Sequence, residues 1–117
     1  MEARHRVILD SGERFDVARP TVLGRGPEGH GLTESIDNEQ DPQLIRVDDP
    51  DRSISRTHLI LGVYDGELWA ADTASGNGSV LVYPDGNSYP MAAWTRYVVD
   101  PGSTIRFGDR WLQSEPL

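Results

Sequence analysis

Three polar clusters have residue types that could bind an anion. Gly24-Arg25 follows the apolar run Thr21-Val22-Leu23. Ser53-Ile54-Ser55-Arg56-Thr57-His58 leads into Leu59-Ile60-Leu61. Asp72-Thr73-Ala74-Ser75-Gly76-Asn77-Gly78-Ser79 precedes Val80-Leu81-Val82. An arginine presents a planar fork of donors that matches phosphate oxygens. A serine hydroxyl adds a donor, and an asparagine carboxamide is donor and acceptor at once. Taken singly, each cluster is weak. Gly-Arg occurs by chance in most chains, Asn-Gly is usually a hairpin turn, and a loop serine often serves only its own turn.

Other chemistries fit these residues less well. Gly24-Arg25-Gly26-Pro27-Glu28-Gly29 matches a G-x-G-x-x-G string after a strand. That fingerprint needs a helix next, with its N-terminus facing a pyrophosphate, and residues 29–42 carry no helical apolar stripe. Ser55, His58 and Asp72 could be written as a hydrolytic triad, but no G-x-S-x-G elbow is present. An i, i+3 pair on an extended segment also points to opposite faces. His5, His30 and His58 lack the spacing of metal ligands.

The elements that must position these clusters read as strands. Val7–Leu9, Arg14–Val17, Thr21–Leu23, Leu44–Val47, His58–Leu61, Leu68–Ala71, Val80–Tyr83, Arg96–Val99, Thr104–Phe107 and Arg110–Leu112 are short and rich in β-branched and aromatic residues. Turn signals separate them at Asp10-Ser11-Gly12-Glu13, Tyr64-Asp65-Gly66, Pro84-Asp85-Gly86-Asn87, Asp100-Pro101-Gly102 and Gly108-Asp109. No segment keeps a helical period. Many short strands at this spacing predict an all-β sandwich. Trp69, Trp94 and Trp111 are expected in or near its core. The polar stretch at about 26–43 predicts a long, mobile, acidic loop. The whole reads as a single domain over 1–117 with its core at about 7–112.

Order and context give the three clusters their meaning. A strand and Gly24-Arg25 come first, then Ser55-Arg56-Thr57-His58, then Ser75-Gly76-Asn77-Gly78, then Gly102-Ser103-Thr104-Ile105-Arg106-Phe107-Gly108-Asp109. This series resembles the forkhead-associated (FHA) family over about Val7 to Leu112. The resemblance implies an eleven-stranded, antiparallel-rich β-sandwich whose loops at one end grip a phosphothreonine peptide. It implies that Arg25 and Ser55 hold the phosphate, with Arg56 as helper. Asn77 would order the ligand's main chain, with Ser75 and Gly76 in the same peptide-facing loop. Gly24, His58 and Gly78 are the motif's structural members, His58 as a brace between loops. The family often has threonine or arginine where this chain has Gly76. The implied function is a phosphopeptide-binding module with a signalling or adaptor role, neither an enzyme nor dependent on a cofactor or metal. The alternative is an FHA-like scaffold that joins partners through a sheet face, independently of phosphate.

Composition narrows the partners. The formal net charge is −8, and all eleven basic residues are arginines. Such a chain is a poor non-specific ligand for nucleic acid, which requires phosphate neutralisation by basic side chains. Absence of cysteine excludes disulfides and zinc–thiolate sites. No apolar run is long enough for a transmembrane helix, and Val7-Ile8-Leu9 is too short for the core of a secretory signal. The expectation is a cytoplasmic domain without direct membrane binding, whose partner is a phosphothreonine-containing protein, a Ser/Thr kinase substrate. Thr33, with Ile36 three residues on, is a further expected phosphosite able to dock on another copy.

Overall fold

The computed structural model describes residues 5–27, 42–48, 50 and 52–115. Thr33, His30 and most of the predicted acidic loop lie outside them. The described residues form eleven strands and no helix. In chain order these are β1 (Arg6–Leu9), β2 (Arg14–Asp16), β3 (Thr21–Gly24), β4 (Gln43–Arg46), β5 (Leu59–Tyr64), β6 (Glu67–Asp72), β7 (Ser79–Val82), β8 (Ser88–Pro90), β9 (Tyr97–Val98), β10 (Thr104–Phe107) and β11 (Arg110–Ser114). They make a six-stranded sheet, ordered β2-β1-β11-β10-β7-β8, and a five-stranded sheet, ordered β4-β3-β5-β6-β9. Pairing is antiparallel except between β3 and β4. Among the described residues no helix is long and apolar enough to cross a membrane.

Strand alternation builds the core. In the six-stranded sheet Val7, Leu9, Phe15, Leu81, Ile105, Phe107 and Leu112 are buried. Leu23, Leu59, Leu61, Leu68 and Ala70 of the other sheet join them in one apolar cluster. With period two, the alternate residues of β5 and β6 face outward, where Ile60, Trp69 and Ala71 form a second, smaller cluster. Gly62 is required there, because a Cβ would stand 2.4 Å from Cζ2 of Trp69. The Arg96 guanidinium covers the indole at 4.4 Å from its centroid, a cation–π contact.

Two sequence expectations change. The strand β8 carries no apolar run and ends in Pro90, so nothing local marks it; it is an exposed edge strand, where proline is tolerated. Of the three tryptophans only Trp69 is buried, whereas Trp94 and Trp111 are 51% and 42% exposed. Trp111 lies on β11 between inward-facing neighbours and so points outward. Trp94 sits in a loop with φ +61°.

Register places the ends of five strands together. Leu23 pairs with Leu59, Leu59 with Asp72, and Phe107 with Ser79. The loops that follow β3, β6 and β10, and the one before β5, therefore gather at one end of the sandwich.

A buried-edge ion pair ties β11 to the turn after β1. The Arg110 side chain donates to both Asp10 oxygens, at 2.6 Å and 2.8 Å, and its Nη1 donates to the carbonyl of Asp48. These hydrogen bonds hold the Asp10 carboxyl below its ordinary value, against a smaller opposing effect of burial. A depressed carboxylate pKa gives stability that is present above the unfolded value and is lost as pH falls through the folded one. Asp10→Asn is expected to cost about 1–3 kcal/mol at neutral pH. The gap to wild type should narrow as pH falls from neutral to below the ordinary aspartate range. Urea denaturation at both pH values checks this, and an undiminished gap in acid would contradict it.

Candidate functional site

The site begins where β3 runs out. Gly24 is pressed against the main chain of Arg56, so that an added Cβ would lie 2.0 Å from the Arg56 carbonyl oxygen. Only glycine allows this approach. Beyond it the chain continues the sheet pairing: Arg25 N–H donates to Ser55 O and Gly26 N–H to Arg56 O, both at 3.1 Å. On the other side Val47 N–H donates to Gly24 O at 2.9 Å, which extends the parallel pairing with β4. Arg25 is half-buried; its Nε donates to Ile54 O at 3.3 Å. Its two terminal nitrogens have no partner among the described residues, so the fork of the guanidinium is available.

The loop before β5 and the loop after β6 are bound to each other through His58. This ring is fully buried and edge-on to Phe107, with centroids 5.7 Å apart. Its Nδ1 accepts from Ser55 N–H at 3.1 Å, so the proton sits on Nε2, which donates to Gly78 O at 2.8 Å. Thr73 adds to the bond between loops, its hydroxyl reaching Thr57 O at 2.7 Å and its N–H reaching His58 O at 3.1 Å.

A buried carboxylate shapes the second loop from inside. Asp72 accepts from Ser75 N–H at 2.8 Å, from the Ser75 hydroxyl at 2.7 Å and from the Ser79 hydroxyl at 2.5 Å. In the sequence Asp72 opens the third polar cluster and could be written into a hydrolytic triad. The structure instead gives its oxygens to the loop and leaves Asp72 Oδ2 3.7 Å from His58 Nε2. The Asp72-x-x-Ser75 spacing, typical of an aspartate turning back onto its own backbone, was the signal for this role. Ser75, expected to face a peptide, spends its hydroxyl proton on Asp72. Ala74 is held at φ +63°, and Arg52, in the first loop, at φ +55°. Both are uncommon left-handed conformations for non-glycine residues.

Ser55 joins the parts. Its carbonyl accepts from Arg25 N–H, and its Oγ accepts from Gly76 N–H at 3.0 Å. A serine oxygen that accepts from one N–H still has its own proton to donate. Asn77 is exposed, and its Nδ2 donates to Ser53 O at 2.7 Å. That leaves Oδ1 and one N–H of the carboxamide without a partner among the described residues. Asn77 does not have positive φ, whereas Gly78 does, at +73°, so the pair is not a type I′ turn. Gly76 is not demanded by packing, since a Cβ would meet only Ser55 Oγ at 3.9 Å. The Arg56 side chain is exposed, and the residue enters the frame through its carbonyl. The turn between β10 and β11 completes the assembly. Asp109 N–H donates to Ser53 Oγ at 2.9 Å, and Gly108 lies so close that a Cβ would stand 2.5 Å from Ser53 O.

The geometry is thus a cationic fork, a hydroxyl, a carboxamide edge and exposed loop amides at one end of a rigid sandwich. Among the described residues no group of three or more potential ligands could hold a metal ion. A two-sheet sandwich with these loops defines the class: the chain has the fold of a forkhead-associated domain. It superposes on the FHA domain of an Arabidopsis thaliana hypothetical protein with TM-score 0.69 and 21% identity, over 99% of this chain and 87% of that one. The FHA domain of human APLF in complex with an XRCC1 bisphospho peptide gives 0.67 and 19%, over 98% and 100%. An FHA domain solved in work on phosphothreonine-dependent FHA domain interactions gives 0.63 and 24%, over 98% and 100%. No protein-family model and no curated protein matches the chain in sequence.

Two substitutions test this frame. Asp72→Asn puts an amide donor against serine hydroxyls that already donate; the expected loss is about 1–3 kcal/mol. Amide NMR shifts should change at residues 73–79 and stay still in β1 and β2. Gly24→Ala must push Arg56 aside and should cost about 1–3 kcal/mol, read as a lower urea midpoint. An unaltered midpoint would mean that the two main chains separate without cost.

Proposed function

We propose that this chain is a phosphothreonine-peptide reader, a binding module and not an enzyme. The observation that carries the reading is the available guanidinium fork of Arg25 beside the Ser55 hydroxyl, both anchored by main-chain bonds between β3 and the loop before β5. A phosphothreonine brings about −1.5 to −2 charges and three strong acceptor oxygens. Arg25 supplies two parallel charged donors, Ser55 an O–H, and Arg56 a second cation at the rim. Asn77 has an acceptor and a donor left for a peptide main chain, and the loop of Ser75, Gly76 and Gly78 lies next to it. The reading is supported by the FHA fold and by neighbours with that fold, one solved in complex with a bisphospho peptide and one in work on phosphothreonine-dependent interactions. The partner would be a phosphorylated protein met in the cytoplasm, with no nucleic acid, membrane, metal or cofactor involved.

One observation favours a second reading. Leu44 and Val98 are 50% and 45% exposed on the five-stranded sheet, a face that could join a partner independently of phosphate.

Fluorescence anisotropy with matched phosphothreonine and threonine peptides separates the two. The phosphorylated peptide alone should bind. Truncation of a charge that is paired in the complex costs roughly 2–5 kcal/mol, so Arg25→Ala should remove most measurable affinity at about 1.4 kcal/mol per decade. Binding that ignores phosphorylation and survives Arg25→Ala would replace the first reading with the second.

A further inference from the structure

The loops at one end of the sandwich leave the outer face of the six-stranded sheet unused. Alternation and register define what that face presents. Trp111 and Arg106 stand directly opposite each other on β11 and β10. In the next outward row Ile8, Gln113, Thr104 and Val82 follow one another across β1, β11, β10 and β7. The outward residues of these four strands include no carboxylate, in a chain of formal net charge −8. At the β2 margin the charges are paired, Arg6 with Asp16 and Arg14 with Glu115. Trp111 is 42% exposed. Arg106 is exposed and makes no hydrogen bond or ion pair among the described residues. The two are neighbours, yet Arg106 does not stack on this indole; the cation–π contact among the described residues is Arg96 over Trp69, on the other sheet. Both edges of the sheet are blunted. β2 is short with a charged residue at each end, and β8 is short and ends in Pro90. A second chain is thereby directed to the face and away from the edges.

We propose that this face pairs with the same face of a second copy, in a two-fold dimer whose axis runs along the strands between β10 and β11. The order of residues across the face selects this partner. About that axis each outward position of β11 meets its own register partner on β10 of the other copy, and β1 meets β7. Trp111 then receives Arg106 of the second copy, Gln113 meets Thr104, and Ile8 meets Val82, and each contact occurs twice. Cation meets indole, carboxamide meets hydroxyl, and aliphatic meets aliphatic. A face without carboxylates is also where two copies of an acidic chain approach with the least repulsion. Packed sheets cross at about 30°, so the pairs beside the axis, Trp111 with Arg106 and Gln113 with Thr104, meet best. Tryptophan and arginine are the residue types that most often carry an interface. So small a face lies at the low end for a specific contact, which sets a dissociation constant on the order of 10 μM. The proposal is independent of the phosphothreonine reading. Arg25 follows a strand of the other sheet, so the dimer presents two copies of its fork.

Sedimentation equilibrium of the unphosphorylated chain, at concentrations from about 1 to 300 μM, tests this. Wild type should pass from the monomer mass toward twice that mass across the range. Trp111→Ala and Arg106→Gln should each weaken association roughly tenfold, with melting temperatures measured as the folding control. Leu44→Ser, on the five-stranded sheet, should leave association unchanged. The sharpest sample is an equimolar mixture of the Trp111→Ala and Arg106→Gln chains. Each variant alone lacks both cation–indole contacts, whereas the mixed dimer keeps one, so the mixture should associate more tightly than either component. A chain that stays monomeric throughout, a dimer indifferent to both substitutions, or a mixture no tighter than its components would overturn the proposal. Loss of association in Leu44→Ser would overturn it as well, by moving the contact to the other sheet.

Discussion

The contact between Gly24 and the main chain of Arg56 is the constraint on which the site depends. It lets β3 and the loop before β5 run side by side past the end of the sheet, where both would otherwise diverge. Main-chain bonds from Arg25 and Gly26 then fix the two segments at hydrogen-bond distance. The consequence is geometric: an arginine side chain and a serine hydroxyl from residues thirty apart leave the backbone from one rigid platform. A bulkier residue at position 24 would move the platform, so that the chemistry of Arg25 and Ser55 is preserved only while the residue before them has no side chain.

The remaining loops are held by polar groups buried beneath them. His58 and Asp72 each satisfy hydrogen bonds that the loop backbone cannot make with itself, His58 by accepting from Ser55 and donating to Gly78, Asp72 by accepting from Ser75 and Ser79. Buried polar groups are costly without partners and specific with them. That balance allows the left-handed Ala74 and Arg52 to persist, since the surrounding bonds outweigh a backbone strain of order 1–3 kcal/mol each. A flexible loop could reach the same conformation only by losing entropy on each binding event; a loop ordered in advance avoids that loss.

Much of this was legible in the sequence, for physical reasons. The strand segments with β-branched and aromatic residues bounded by glycine, proline and aspartate formed strands, and Gly24, Arg25, Ser55, His58 and Asn77 lie at the strand ends where their order suggested. What escaped was whatever depends on long-range register. β8 is exposed along its length and has no pattern that packing imposes. Trp94 and Trp111 carry a core composition in surface positions, because strand phase and a loop conformation turn them outward. Arg46 comes to lie beside Gly24 only through the parallel pairing of β3 with β4, which no local spacing encodes. Asp72 carried a usable signal in its spacing to Ser75, which marks an aspartate turning back onto its own loop.

The net charge of −8 sets a condition on any anionic ligand. Summed over the protein, the field repels a phosphopeptide, yet salt damps that repulsion over about 8 Å at physiological ionic strength. Beyond that distance most of the carboxylates are damped. Arginines in direct contact with a ligand are not, because the approach expels the water and ions between them. Selectivity then lies in the short-range arrangement: an anion bound elsewhere on the surface meets the repulsion alone, while one seated at Arg25 meets a fork, a hydroxyl and neighbouring cations. Polyanions without that fit gain nothing to offset the repulsion. On the proposed reading, an acidic protein that presents a cationic fork at one point is a better discriminator of individual phosphorylated residues than a uniformly basic one would be.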